Sequence, residues 1–502
     1  MADRRGAIPP DLPISAISPK IVCMNRRRRQ RRKMVLLYIA FFVSLAALVI
    51  SIGLFFTIQN RLPQPSTVLP ADSSEMIIRQ SSAAEGGRDA FTNPERPPLD
   101  TIVSGDIIPG SADGIVGGNE EPTLYFQTPA AAAGEDYQPD LSYLPEELRS
   151  SREISGLTSE RIAEIKGMTA GRYYYYDCLT SEEQTLYAEL YHIITSLSAD
   201  VFISATDAET LEKVQNCVMN DHPEIYYLSG YYTTRYTLGE QTVGFSFSGR
   251  YLYDSAEISR RNLLIEEYIN KCLASLPANA DDYTKVKYVY DYLIRNTSYN
   301  VNAADNQNIC SVMLGGESVC QGYAKAAQIL LNRVHVDCTL VVGTVESGMS
   351  AGPHAWNLVF ADGHWYYLDV TWGDASFRNG DSVGEGVNYD YLLTTTAEIS
   401  RTHTIGGVVP MPLCTQMDDN YYIRERAYFT EPSLDAFGAL VARRMSEGSP
   451  AVTFKCATKE VYDEMLRQLI DESKVFDYIH KSPGESLSFT RSDDHLSFTV
   501  WF

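Results

Sequence analysis

The pattern of apolar and polar residues divides the chain into an apolar segment near its start, a stretch without periodicity, and a long region of alternating helix and strand patterns. Residues 34–58 contain no charged side chain. At a helical rise of roughly 1.5 Å per residue, such a segment spans the apolar layer of a membrane. Residues 59–140 are rich in Pro, Ser, Gly and Ala. This composition predicts a disordered linker, because too little apolar area could be buried there.

The pattern from residue 141 onward predicts folded units, the first of which is an α+β domain over 141–275. Helical spacing predicts helices at 157–166, 181–197, 208–219 and 256–276. Strand-like alternation predicts strands at 172–178, 225–236, 242–247 and 251–253. Ser181 is expected to be the N-cap of the second helix. We interpret the tyrosines of the strands as half-buried sheet residues rather than as a surface for stacking sugars.

Two further units follow, at 276–412 and 413–502. The first of them begins with a predicted helix at 281–296, continues with a helix after Ser318, and then has two strands at 354–360 and 365–371. A tight turn with the dipeptide Asp362-Gly363 joins these strands into a hairpin. The last unit is predicted to be an α/β appendage with a helix at 459–469 and strands near 451–455 and 487–502.

Charge is distributed unevenly along the chain. The first 33 residues carry ten Lys and Arg against two acidic residues, whereas the whole chain has a formal net charge of −22. By the positive-inside rule, residues 1–33 form a cytoplasmic tail and the folded units lie outside the cell on a single-pass anchor at 34–58. A cleaved signal peptide is the alternative, which the length of the apolar run disfavours. The acidic remainder repels phosphate backbones and so excludes nucleic acid as a partner.

The nine cysteines are widely spaced and include no CxxC pair. This pattern differs from that of a disulfide-stapled secreted domain and from that of a zinc site. We therefore expect most of them to be buried thiols that pack as small apolar residues.

Three residues have the types and order required for thiol catalysis. Cys320 lies in the first turn of the helix after Ser318, the expected N-cap, where free backbone N–H groups and the helix dipole favour a thiolate. The hairpin brings His354 on one strand near Asp369 on the other. His354 could take the thiol proton, and Asp369 could orient the imidazole and stabilise its charged form. A structural role is the alternative for each residue taken singly.

These residues lie in sequence blocks that resemble the transglutaminase-like superfamily. The blocks are GESVCQGYA, HAWN and WYYLDVTW, and the similarity extends over about 280–410. The resemblance implies a papain-like α+β core in which a helix packs on an antiparallel sheet, flanked by small α+β domains. It implies that Cys320 is the nucleophile, His354 the base and Asp369 the acid. The order of anchor, N-terminal unit, core and appendage is similar to that of bacterial cell-surface members.

Other residues near these blocks receive weaker assignments. Trp356, Trp372 and Tyr323 are candidates for the wall of the acyl site, with core packing as the alternative for the tryptophans. The backbone N–H of Cys320 is a natural oxyanion donor, and Ser311 or Tyr299 is a candidate for the second donor. Glu317 is expected in solvent; His364, at the turn, and His403, in a helix, are expected to be structural. No metal site or cofactor is expected, because the acidic residues of a glycine-rich loop lack a regular calcium spacing; they are Asp374, Asp381, Glu385 and Asp390.

The combined observations favour an extracytoplasmic cysteine-dependent acyl-transfer enzyme. The thiolate would attack an amide of a surface protein or a peptidoglycan peptide and form a thioester. Water would resolve the thioester in a peptidase or amidase, and an amine would resolve it in a cross-linking enzyme. The alternative, from a different class, is a non-catalytic module that binds the cell wall or tethers a partner.

Overall fold

The structure, a computed structural model, describes residues 77–84, 146–238, 241–347, 350–374, 387–479 and 488–501, with residues 137, 139, 141 and 144 before them. The predicted cytoplasmic tail and membrane segment lie outside the described residues. Within the described part, every helix is too short or too polar to cross a membrane.

The N-terminal unit is a four-stranded antiparallel sheet with helices packed against it. The strands lie side by side in the order β1-β3-β4-β2. Its elements are β1 (Ile77–Ala84), α1 (Glu146–Ser155), α2 (Ser159–Thr169), α3 (Tyr174–Asp177), α4 (Ser181–Thr195), β2 (Val201–Ile203), α5 (Ala208–Asp221), β3 (Leu228–Leu238), β4 (Gln241–Tyr251) and α6 (Ser255–Leu273). Strand β1 lies within the region predicted to be a disordered linker, and it pairs along its whole length with β3. Apart from β1 and residues 137 and 139, that linker lies outside the described residues.

Two local predictions for this unit are wrong. The aromatic segment 172–178, predicted as a strand, contains helix α3, whose start is fixed by a carboxylate: Asp221 accepts hydrogen bonds from the backbone N–H groups of Tyr175 and Tyr176. The N-cap of α4 is Thr180 rather than Ser181. Thr180 forms a reciprocal capping box with Glu183, which satisfies two of the unpaired N–H groups at the helix start.

The central unit is a second four-stranded sheet on which one long helix packs. Its elements are α7 (Asp282–Asn296), β5 (Ser298–Tyr299), β6 (Glu317–Ser318), α8 (Cys320–Arg333), β7 (Asp337–Ser347), β8 (Ser350–Ala361), β9 (His364–Leu368), α9 (Val370–Gly373), α10 (Thr396–Ile399) and β10 (His403–Gly406). The strand order is β10-β7-β8-β9, and every neighbouring pair is antiparallel. Helix α8 packs across β7 and β8, which is the arrangement of helix and sheet that the sequence predicts.

The hairpin of β8 and β9 has the turn that its sequence predicts. Asp362 and Gly363 both have positive φ, 45° and 90°, which is the backbone conformation required by a two-residue turn between twisted strands. The turn sets the register, so that Asn357 lies opposite Leu368 and Ala361 opposite His364.

The C-terminal unit is a third sheet with helices on it. Its strand order is β11-β12-β14-β13. Its elements are α11 (Tyr421–Arg424), β11 (Tyr428–Phe429), α12 (Leu434–Ser446), β12 (Ala451–Cys456), α13 (Lys459–Leu466), β13 (Ser488–Ser492) and β14 (Ser497–Trp501). The predicted helix at 459–469 continues past α13 as a π-helical turn, and the predicted C-terminal strand pattern is the hairpin of β13 and β14.

The hydrophobic core is continuous across the three units. A single cluster of buried apolar side chains extends from Leu157 to Val500. Buried hydrogen bonds also join the units: Tyr175 donates to the Leu340 carbonyl at 2.8 Å, and Ser497 donates to Asp390 at 2.7 Å. The domain boundaries therefore stay a prediction, because the described residues pack as one body.

The expectations for cysteines and strand tyrosines agree with the described residues. Eight cysteines are described, all of them unpaired thiols, and seven of them are buried. Tyr231 of β3 is buried whereas Tyr232, on the opposite face, is exposed, and Tyr236, on the same face as Tyr232, is buried against Phe202.

Candidate active site

Cys320 is the first residue of helix α8. Val319 precedes it as the N-cap and provides no side-chain hydrogen bond, so the first-turn N–H groups are not capped by a side chain of that residue. Uncapped N–H groups at a helix start favour an anion. The prediction that Ser318 is the N-cap is wrong. Its hydroxyl instead forms a hydrogen bond with the hydroxyl of Ser311 at 2.6 Å, and both residues are buried.

Gly322, in the same first turn, must be glycine for steric reasons. A Cβ at this position would lie 1.9 Å from Ser318 Oγ and 2.8 Å from Ser311 Oγ. We expect Gly322→Ala to lower the free energy of unfolding by about 1–3 kcal/mol, because overpacking a buried contact costs this much. The measurement is the denaturant midpoint. Gly315→Ala is the matched control, since a Cβ there meets nothing within 4 Å, and it should leave the midpoint near that of the wild type.

His354 lies in β8, on the sheet surface beneath the start of α8. Its Nε2 donates to Asp369 Oδ2 at 2.6 Å. Asp369 is the residue directly after β9, and its other oxygen accepts the backbone N–H of Trp372 at 3.0 Å, which caps helix α9. Both oxygens of the carboxylate therefore accept hydrogen bonds.

Cys320 lies close enough to the His354 ring to raise the pKa of that imidazole. Because Nε2 of that ring is used by Asp369, Nδ1 is the nitrogen left for the sulfur. Cys320 is 8 % exposed, His354 3 % and Asp369 fully buried. The structure thus brings the three predicted residues together in one line, from the helix start through the imidazole to the carboxylate.

The electrostatics of this line follow from burial and from the charge of Asp369. Burial lowers the pKa of His354, but the carboxylate of Asp369 and the nearby Cys320 outweigh it and raise that pKa to about 10. Burial raises the pKa of Asp369, yet His354 and His403 hold it well below its ordinary value. At neutral pH the imidazole is therefore charged and the carboxylate ionised.

His403 belongs to this site, although the sequence predicted a structural residue in a helix. It is the first residue of strand β10, and its Nε2 donates to Asp369 Oδ2 at 2.9 Å, the oxygen that also accepts from His354. Its Nδ1 lies 2.8 Å from the hydroxyl of Thr402. The only local signal is the short alternation His403-Thr404-Ile405, which is too brief to separate a strand from a helix end.

His354, Asp369 and His403 also form the one group of potential metal ligands found among the described residues. The two nitrogens contact a single oxygen at 2.6 and 2.9 Å, which is hydrogen-bond spacing. A tetrahedral zinc ion bonded at about 2.0 Å would hold its ligand atoms about 3.3 Å apart. These distances therefore fit hydrogen bonds from the two imidazoles to the carboxylate better than coordination of a metal ion.

Aromatic rings enclose the two imidazoles. Trp356 stacks on His354 with a centroid distance of 5.8 Å and meets His403 edge-on at 4.9 Å, and Trp372 lies 4.8 Å from His403. Both tryptophans are buried, so they surround the imidazoles rather than line an open cleft. Tyr323, predicted as a wall residue, is elsewhere: it is buried in the main core and donates to the Thr297 carbonyl at 2.9 Å.

Asn357 ties the helix of the nucleophile to the strand of the base. It is the last residue of the HAWN block and is fully buried. Its amide donates to the Ala324 carbonyl of α8 at 2.9 Å. Sequence reasoning assigned no role to this residue, although a polar side chain on an inward-facing strand position requires a partner and so was a usable signal.

The remaining candidates separate by position. Ser311 is turned into the serine pair behind the helix start, whereas Tyr299 in β5 lies beside the site: burial, and then the charges of Cys320 and Asp369, raise its pKa to about 12. Glu317 is exposed, as expected, and His364 is half-buried at the start of β9. Of the loop acids, Asp374 and Asp390 are buried and contact tyrosine hydroxyls, while 381 and 385 lie outside the described residues.

Comparison with known proteins agrees with this geometry. The family model described as the transglutaminase-like superfamily matches residues 274–370, which include Cys320, His354 and Asp369. Residues 274–370 form a transglutaminase-like domain. Kyphoscoliosis peptidase of Mus musculus is 24% identical over 234 residues, covering 43% of this chain and 35% of the mouse protein, and that of Homo sapiens is 25% identical over 204 residues, covering 37% and 31%.

The chain spans about a third of the length of these curated relatives. Among solved structures, one described as a TGase shares 18% identity with a TM-score of 0.21, covering 32% of this chain and 48% of the other. The transglutaminase-like domain matched by the family model ends before His403. The resemblance to bacterial surface members stays a prediction.

Proposed function

We propose that this protein is a cysteine-dependent acyl-transfer enzyme that cleaves amide bonds of proteins or peptides. The observation that carries the proposal is the buried line of Cys320, His354 and Asp369, with the imidazole bonded to the carboxylate at 2.6 Å. The mouse and human relatives are named kyphoscoliosis peptidase, which supports hydrolysis over cross-linking.

The reaction begins from a charged imidazole. Because the pKa of His354 is raised to about 10, the ring at neutral pH carries a proton on each nitrogen. Nε2–H is held by Asp369, and Nδ1–H faces the sulfur, so a thiolate is stabilised there by its positive partner and by the N–H groups of the helix start.

The thiolate then attacks the carbonyl carbon of an amide, and the backbone N–H of Cys320 stabilises the developing oxyanion. Nδ1–H of His354 protonates the amine as the C–N bond breaks, which leaves a thioester on Cys320. His354, now neutral, takes a proton from water as the water oxygen attacks the thioester carbonyl carbon. The C–S bond then breaks, which frees the acid and returns Cys320 as a thiolate beside the charged imidazole. Tyr299 is the candidate for the second oxyanion donor, because it lies beside both charged residues.

The place of action is proposed from the sequence. The apolar segment 34–58 and the basic residues before it favour a single-pass membrane protein with the enzymatic part outside the cell. Surface proteins and peptidoglycan peptides are then the available amides.

The test is selective alkylation of the full-length protein in mild detergent. With limiting iodoacetamide at neutral pH, peptide mapping by mass spectrometry should find Cys320 labelled first and well ahead of Cys178, the half-buried thiol whose pKa burial raises to about 11. The same protein should cleave members of a peptide library, and the thioester at Cys320 should be trapped on rapid acid quench.

Cys320→Ala is the control for both measurements. Equal peptide cleavage by the variant and the wild type would remove Cys320 as the nucleophile. Alkylation of wild-type Cys320 no faster than that of glutathione would instead favour a non-catalytic module that uses the same fold for binding.

A further inference from the structure

We infer that His403 is a positioning residue that fixes the carboxylate of Asp369 for His354, so that the site has a second imidazole in its hydrogen-bonded line. The inference rests on the proposed function, and it extends the line beyond the three residues that the sequence blocks identify. It is carried by the contact of two imidazoles with one carboxylate oxygen, at 2.6 and 2.9 Å.

The sheet explains how His403 reaches the site. In the strand order β10-β7-β8-β9, His354 lies opposite Gly343 of β7, and Gly343 lies opposite Ile405 of β10. Directly opposite residues share a face of a sheet, and so do residues two apart in one strand. His403, Ile405 and His354 therefore project from the same face; the β7 residue between Ile405 and His354 is a glycine, and Val345 lies opposite His403.

Gly343 makes room for the ring that supports both imidazoles. A Cβ at this position would lie 2.7 Å from the indole of Trp356. Because that side chain is absent, the indole lies over β7, where it stacks on His354 and meets His403 edge-on. Trp372 and Tyr391 close the remaining sides of His403, at 4.8 and 5.7 Å.

His403 has polar partners at both ends of its ring. Nε2–H donates to Asp369 Oδ2, and Nδ1 lies 2.8 Å from Thr402 Oγ1. The titratable groups that face it are Asp369 after β9, His354 on β8 and Tyr391 before α10. Burial lowers the pKa of His403 in spite of Asp369, and the charge of His354 lowers it further. The ring donates through Nε2 to Asp369 and contacts the Thr402 hydroxyl at Nδ1, and the nearby Ile399 carbonyl acts against the burial that lowers the pKa of His403.

The consequence is a carboxylate with three donors and no freedom to turn. Oδ1 is held by the N–H of Trp372, and Oδ2 by both imidazoles. Without His403, Oδ2 keeps one donor, and the carboxylate can rotate away from His354.

The test compares two variants that separate hydrogen bonding from packing. His403→Gln retains an N–H donor at the position of Nε2, whereas His403→Phe retains the ring and removes both polar atoms. The readout is the rate of Cys320 alkylation by iodoacetamide in the full-length protein, measured against pH. His364→Gln, at the hairpin turn and outside the site, is the matched control.

We expect the phenylalanine variant to react about 10-fold to 100-fold more slowly at neutral pH, the effect of one lost hydrogen bond to a charged group. The pH at which its rate changes on the alkaline side should move downward, because a carboxylate that can turn away from His354 supports the charge of that imidazole less. The glutamine variant should stay within about twofold of the wild type, since the cost of a retained bond is small.

The inference is overturned if the phenylalanine variant matches the wild type, or if both variants slow alike with no movement of the alkaline transition. If His403→Phe does not fold, Thr402→Val gives the same test, because it removes only the hydroxyl that holds Nδ1 and should slow alkylation. Slow alkylation of the wild type itself would instead overturn the proposed function, so the two failures are distinguishable.

Discussion

Replacing His354 with alanine is expected to slow alkylation and acylation of Cys320 at neutral pH by about 100-fold to 10,000-fold, the range attributed to a positioned acid–base group. In the wild type the charged imidazole stabilises a thiolate at neutral pH, and this stabilisation is lost as the pH rises through the raised pKa of His354, about 10. In the variant the rate should climb steadily into the alkaline range, because hydroxide must remove the thiol proton.

The measurement is the second-order rate of iodoacetamide labelling of Cys320 from pH 5 to pH 10. His364→Ala is the control for loss of a histidine from the same hairpin, and it should retain the profile of the wild type. An alanine variant at position 354 with a wild-type profile would show that the imidazole does not act on the sulfur.

Asp369→Asn is expected to lower peptide cleavage by about 1,000-fold to 10,000-fold, as loss of the orienting carboxylate does in the serine triad. The physical reason is that three N–H groups donate to the carboxylate of Asp369. One oxygen of Asp369 accepts from two imidazoles and the other from the N–H of Trp372. An amide has only one oxygen, so in either orientation its NH2 group faces an N–H donor.

The same substitution should lower the free energy of unfolding by about 1–3 kcal/mol at neutral pH, since buried donors lose their acceptor. The lowered pKa of Asp369 sets the sign of the pH dependence. The carboxylate contributes fully above its unfolded value, about 3.9, and its contribution declines as the pH falls from there toward the lowered folded pKa. The difference in the free energy of unfolding between wild type and variant should therefore become smaller as the pH falls below about 3.9.

Denaturant unfolding at pH 7 and at about pH 2.5, below the unfolded pKa of an aspartate, together with cleavage assays at pH 7, checks both parts. Asp362→Asn is the matched control: this aspartate is exposed in the hairpin turn with a φ of 45°, a conformation that asparagine adopts readily. An Asp369→Asn variant as active as this control would leave the carboxylate without a role in orientation.

The sequence predicts the parts of the site that depend on local signals. The glycines and apolar spacing around Cys320 predict a helix that begins at the nucleophile, and Asp362-Gly363 predicts the turn that pairs β8 with β9. Both features are present in the structure. Each rests on residues close together in the chain, which is why the pattern is sufficient.

The parts that the sequence did not predict depend on contacts between distant segments. His403 is placed by the pairing of β10 with β7, and the four residues of that strand carry no periodicity of their own. Helix α3 has four tyrosine-rich residues with strand propensity, but buried Asp221 binds its first N–H groups and outweighs that propensity. Ser318 is a suitable cap by type, yet the nearby Ser311 takes its hydroxyl.

The four polar side chains of the site come from two elements of the fold, the central sheet and helix α8. His354, Asp369 and His403 belong to strands of one sheet or the residue directly after them, whereas Cys320 alone belongs to helix α8, which Asn357 anchors through the Ala324 carbonyl at 2.9 Å. A small slide of the helix along the sheet would thus lengthen the sulfur–imidazole separation and leave every other spacing intact. A small molecule bound between helix α8 and the sheet would therefore lower the proposed activity without contacting any of the four side chains.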